Sequence, residues 1–196
     1  PTAGEEAWDD VTGADGHAMG ATGLDTFSYT NSSLMENVSI GLDYVPSDGQ
    51  DQIGSSTSAT IKFTGIDGLT VGAGMGNDQT SATNDNDLET YFVTYTTGGF
   101  TFGAQNSKVE AQAASNDITR DAYGVSFAVN ENLSVSYGIS DTEFDAASSD
   151  EENSGISVSY TAGGMTMGIV SNSKDNTGGT AGSDAENLEL KLTFAF

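Results

Sequence analysis

The sequence predicts an all-β protein, a transmembrane antiparallel up-and-down β-barrel. Three observations carry that expectation. Apolar and small polar residues alternate with a period of two along most of the chain, and short and long connections succeed one another in strict order. No apolar run approaches the ~18 residues of a membrane-spanning helix, whereas a barrel strand needs only about 10 alternating residues. A strand turns successive side chains to opposite faces, so this alternation builds a sheet with one apolar and one polar face.

From the N-terminus, the first stretch is short, Phe27 to Thr30. Val38, Ile40, Leu42 and Tyr44 then alternate with Ser39, Gly41 and Asp43, and Ala59, Ile61 and Phe63 with Thr60, Lys62 and Thr64. Leu69, Val71, Ala73 and Met75 oppose Thr70, Gly72 and Gly74, while Tyr91, Val93 and Tyr95 oppose Thr94, with Phe92 breaking the pattern. Phe100, Phe102 and Ala104 face away from Thr101 and Gly103. Tyr123, Val125, Phe127 and Val129 follow, then Leu133, Val135, Tyr137 and Ile139, each set interleaved with Gly, Ser or Ala. Ile156, Val158 and Tyr160 precede Met165, Met167 and Ile169. The last stretch is the most regular: Leu188, Leu190, Leu192, Phe194 and Phe196 alternate with Glu189, Lys191, Thr193 and Ala195. That makes eleven strands.

The short connections fall at Ser32–Glu36, Ile66-Asp67, Thr97-Gly98, Asn130-Glu131 and Ala162-Gly163, rich in the Gly, Asn and Asp of tight hairpins. The long ones, Pro46–Ser58, Asn77–Asp87, Asn106–Thr119, Asp141–Asn153 and Asn172–Glu186, hold much of the acidic charge. Short turns at one end and long polar loops at the other describe a meander closed into a barrel.

Composition narrows the function. The chain has 196 residues, five Lys+Arg, 29 Asp+Glu and a net charge of −24, which repels nucleic acid and anionic membrane surfaces. Cysteine is absent, so there is no disulfide framework, thiol nucleophile or thiolate metal site. The single histidine, His17, lies in a Gly/Ala-rich stretch without a nucleophile elbow, and nothing supports catalysis. The competing fold is a soluble β-sandwich or acidic β-solenoid, and the competing role is an acidic secreted or surface β-protein, an adhesin or matrix component for which calcium is a candidate ligand. Its polar face should carry Lys and Glu toward solvent. Here that face carries Ser, Thr and Gly, which suit a confined aqueous space.

The terminal strand Asn187–Phe196, ending in Phe, and the rhythm of short turns and long loops resemble bacterial outer-membrane porins, most closely the general diffusion porins of alphaproteobacteria. The resemblance implies a passive water-filled channel for small hydrophilic solutes and ions in the bacterial outer membrane. It also implies sixteen strands, a homotrimer, outer-membrane lipid and lipopolysaccharide as surroundings, and a loop folded into the barrel to narrow it. Counted back from Phe196, the segment before Phe27 holds the place of that constriction loop. An odd number of strands cannot close an up-and-down meander, so five further N-terminal strands are expected upstream or from elsewhere. Pro1 begins a chain with no Met, basic region or apolar leader, consistent with a processed or partial chain.

Two parts follow: an acidic constriction-like segment over residues 1–26 and strands over 27–196. Glu5, Glu6, Asp9, Asp10 and Asp15 form a carboxylate cluster that, in a narrow passage, attracts cations and repels anions. Trp8 lies in the same segment and is expected to anchor it to the wall. Lys62, Arg120 and Lys191 have inward parity and are the candidate basic wall, while Lys108 and Lys174 fall in long loops and are expected at the surface. Asp85 with Asp87, and Asp150 with Glu151 and Glu152, are candidate calcium ligands, offering hard oxygens that divalent ions could bridge to lipopolysaccharide; plain hydration of the loops is the alternative. Tyr44, Tyr91, Tyr95, Tyr137 and Tyr160 have outward parity near strand ends, where an amphipathic ring suits the headgroup level. No cofactor is required by this reading.

Overall fold

The computed structural model describes residues 26–47, 54–81, 84–113 and 115–195. Its strands are β1 (Phe27–Met35), β2 (Val38–Val45), β3 (Ser56–Ile66), β4 (Leu69–Ser81), β5 (Asn84–Thr97), β6 (Phe100–Glu110), β7 (Ile118–Asn130), β8 (Leu133–Phe144), β9 (Glu151–Ala162), β10 (Met165–Asp175) and β11 (Ala185–Phe194). They form one 11-stranded sheet in sequence order, each strand antiparallel to its chain neighbours. Among the described residues β1 and β11 each pair on one side only, so the sheet is open.

The tight turns follow their residues. Gly98 and Gly99 both hold positive φ, 55° and 86°, as the two central positions of a type I′ hairpin require. At the other end the strands run further than apolar alternation suggests. The expected loop Asn77–Asp87 is mostly hairpin, with Asn77 paired to Asp87 and Gln79 to Asp85. The remaining long connections shrink to 46–55, 111–117, 145–150 and 176–184. Ladder hydrogen bonds need no apolar side chain, so the strands continue past the apolar band into residues whose hydropathy carries no signal. At the short-turn end β1 extends beyond Thr30 to Met35, through a register shift between Asn31 and Met35.

Burial is inverted relative to a water-soluble sheet. Ala122 is the one buried apolar residue among those described, while Thr90, Ser107, Arg120, Thr142, Glu151, Asn153 and Lys174 are buried polar or charged groups. Large apolar side chains are exposed instead, including Leu190, Phe102, Tyr137 and Ile156. The cross-strand register explains the sorting, because directly opposed residues share a face. One row runs Phe127, Val135, Val158, Ile169 and Leu190 on the apolar face. The next residue along gives the row Ser126, Ser136 and Ser157 on the polar face. Four glycines, Gly103, Gly124, Gly138 and Gly155, form another polar-face row across β6 to β9. Among the described residues no second layer covers the apolar face, as a soluble sandwich would require.

Candidate functional site

The chemistry lies on the polar face, where two adjacent register rows bring charged and hydrogen-bonding groups together. One runs Thr90, Ser107, Arg120, Thr142 and Glu151 across β5 to β9. The other runs Gln105, Ala122, Ser140, Asn153 and Lys174 across β6 to β10. Glu151 is the hub. Its Oε1 lies 3.2 Å from Lys174 Nζ and 4.0 Å from Arg120 Nη2, and it accepts a hydrogen bond from Asn153 Nδ2 at 3.1 Å. Its Oε2 accepts the Gly178 N–H at 2.7 Å. Arg120 Nε donates to Thr142 Oγ1 at 2.9 Å, and Asn153 Nδ2 donates to Ser140 Oγ at 3.2 Å. Gln105 Nε2 donates to Ser107 Oγ at 3.0 Å, and the Thr90 and Ser107 hydroxyls lie 2.9 Å apart. Lys174 and Glu151 are only 1% and 3% exposed, and charges withdrawn this far from water require such partners.

Glu151 also ties down an outer connection. A 3-10 turn, Thr177–Gly179, follows β10, and Gly178 presents its N–H to the Glu151 carboxylate. Asn176 Nδ2 donates to the Asp150 carbonyl at 3.1 Å, and Asn176 Oδ1 accepts the Gly182 N–H at 3.0 Å. Gly179 is packed so closely on the 145–150 connection that a Cβ there would fall 2.3 Å from Ala147 Cβ.

The structure places Lys62 and Lys191 on the polar face, exposed, and Arg120 on the same face but buried. Lys174 corrects the expectation of a surface loop group: it belongs to β10 and is buried against Glu151. Its parity was readable, since Met165, Met167 and Ile169 face the apolar side and even-numbered residues of the strand therefore face the other. Lys108 is part of β6 rather than a loop, and pairs with Glu110 at the surface. Phe92, which broke the alternation, faces the polar side opposite Gly72.

The candidate calcium ligands are scattered. Asp85 and Asp87 lie in β5 with the parity of Tyr91, on the apolar side beyond the apolar band. Asp150 ends the 145–150 connection, Glu151 points to the polar face, and Glu152 points to the opposite one, because neighbours in a strand diverge. Glu152 joins Asp121, Asp141 and Asp175 in a cross-strand row of carboxylates. Among the described residues no group of three or more His, Cys, Asp or Glu is arranged to hold a metal ion. Glu5, Glu6, Asp9, Asp10, Asp15, Trp8 and His17 lie outside the described residues.

An open meander with polar groups on one face and uncovered apolar side chains on the other is barrel wall. Residues 2–167 match the family model described as Gram-negative porin. The chain belongs to the Gram-negative porin family. Its place is the bacterial outer membrane, with the polar face toward the barrel interior and the apolar face toward lipid. The fold is similar to the anion-selective porin from Comamonas acidovorans, at 15% identity and TM-score 0.72, covering 87% of this chain and 59% of that one. It is also similar to Salmonella typhi OmpF in complex with daunomycin, at 13% identity and TM-score 0.66, covering 86% and 61%. A loop L8 deletion mutant of OmpT from Vibrio cholerae gives 19% identity and TM-score 0.59, covering 86% and 62%. Comparison with curated proteins gives no match. The porin chain thus spans about three fifths of the length of these solved structures.

Proposed function

We propose that this porin forms a passive, water-filled channel for small hydrophilic solutes and ions, cation-preferring and without catalytic turnover. The observation that carries the reading is the inverted burial: Thr142, Glu151 and Lys174 are buried on the polar face, while Leu190 and Phe102 are bare on the other. Such a wall separates lipid from an aqueous lumen. Cation preference is assigned to the acidic segment over residues 1–26, acting as the constriction, together with the overall charge of −24. The described wall side chains alone do not supply it, since on the polar face they include Lys62, Lys191, Arg120 and Lys174 against Asp43, Glu151 and Glu189. Further strands close the sheet, and the working assembly is a homotrimer in lipid and lipopolysaccharide.

Planar-bilayer recording of the complete, detergent-folded protein tests this. Stepwise conductance increments and a reversal potential of cation-selective sign under a salt gradient are the expected result. A folded, inserted protein that passes no current would overturn the channel.

A further inference from the structure

We infer that Glu151 is a selectivity-determining residue of this channel, a buried wall carboxylate that offsets Arg120 and Lys174 while anchoring the 176–184 loop at the channel mouth. The inference rests on the channel reading above. Glu151 begins β9 at the outer end of the polar face, beside Thr142 in the register. Lys174 contacts it from β10, and Arg120 approaches it from β7, one strand beyond Thr142. Among the described residues, two positive charges and one negative charge thus share one patch of wall.

Burial gives this patch reach. Mobile salt surrounds an exposed charge and screens it within about 8–10 Å at ordinary ionic strength. A charge set in the wall has low-dielectric material behind it, and its field is directed toward the water of the lumen. Lys62 and Lys191 are exposed on the same face and are screened by the lumen electrolyte. Removing the Glu151 charge therefore shifts the lumen potential positive and favours anions. The second role is mechanical and uses the other oxygen. Glu151 Oε2 holds the Gly178 N–H, while Gly179 packs on the neighbouring connection, so the loop is fastened to the group that balances the wall.

The two roles separate by substitution. Glu151→Gln removes the charge yet keeps an oxygen that accepts the Gly178 N–H, whereas Glu151→Ala removes both. In bilayers holding the complete protein, E151Q should lower the cation-to-anion permeability ratio about threefold, as expected for one wall charge acting through an intermediate dielectric. Lys174→Met should raise it. The double variant E151Q/K174M restores the net charge of the patch and should return the ratio close to that of the parent. Proteinase K should cut the 176–184 loop faster in E151A than in E151Q. An unchanged ratio in both E151Q and K174M would overturn the inference, as would a fall in E151Q that K174M fails to reverse. If E151Q does not fold, the K174M shift alone decides. A parent protein that passes no current would instead refute the channel reading itself.

Discussion

Phe92 lies over Gly72, its direct partner across the β4–β5 ladder. A Cβ at residue 72 would fall 2.2 Å from a Phe92 ring carbon. The glycine leaves a seat that the edge of the inward Phe92 ring occupies. Gly72→Ala fills that seat, and the ring, carried on rotatable bonds, swings away from the wall. Single-channel conductance should fall in Gly72→Ala and rise in Phe92→Ala, which removes the ring. Recordings at high salt, where surface charge contributes little, check both.

Adjacent residues of β8 face opposite sides of the wall. Val135 lies in the apolar row with Val158, and Ser136 in the polar row with Ser157. A lysine on the lipid face near the bilayer midplane costs about 2–4 kcal/mol, while one facing the lumen stays hydrated. Val135→Lys should therefore destabilise the folded barrel by about that amount, and Ser136→Lys by much less. Denaturant titration of folding in lipid vesicles measures the difference. Equal costs would mean that the faces are wrongly assigned.

These faces were legible in the sequence because each apolar residue of a barrel wall must meet lipid, so hydropathy reports side-chain direction residue by residue. Arg120 shows where that legibility stops. Its parity gives its face, but its link to Thr142 and its approach to Glu151 depend on the β7–β8–β9 register, which no local pattern encodes. Lys174 reads as a loop residue along the chain because strand alternation above Ile169 passes into Ser, Asn and Asp, where both faces are polar. The Asp150, Glu151 and Glu152 triplet reads as one site along the chain, yet the pleat sends the last two to opposite faces.

Topology gives a test that needs no conductance. The 145–150 and 176–184 connections lie at one end of the sheet, and Gly98–Gly99 and Gly163-Gly164 at the other. Loops at the extracellular end should be labelled or cut from outside intact cells. We expect an epitope inserted at Ser148 to be reached by antibody on whole cells, and one inserted at Gly163 to be reached only after the outer membrane is opened. Surface access to both would break the alternating scheme.

The acidic segment should set ion preference. Glu5, Glu6, Asp9, Asp10 and Asp15 precede the strand that begins at Phe27, and Phe27 lies at the same end of the sheet as the long connections. Carboxylates gathered in a narrow aqueous passage raise the local cation concentration, and water and bound cations lower the cost of their mutual repulsion. Changing all five to amides should move the reversal potential toward zero at low salt, where screening lengths reach about 30 Å at 0.01 M. Conductance at high salt should change far less. Asp85 and Asp87 provide the control, since both point away from the polar face, and their amides should have the smaller effect. A reversal potential unmoved by the five-fold change would place the segment outside the ion path, and the constriction would have to be sought elsewhere in the barrel.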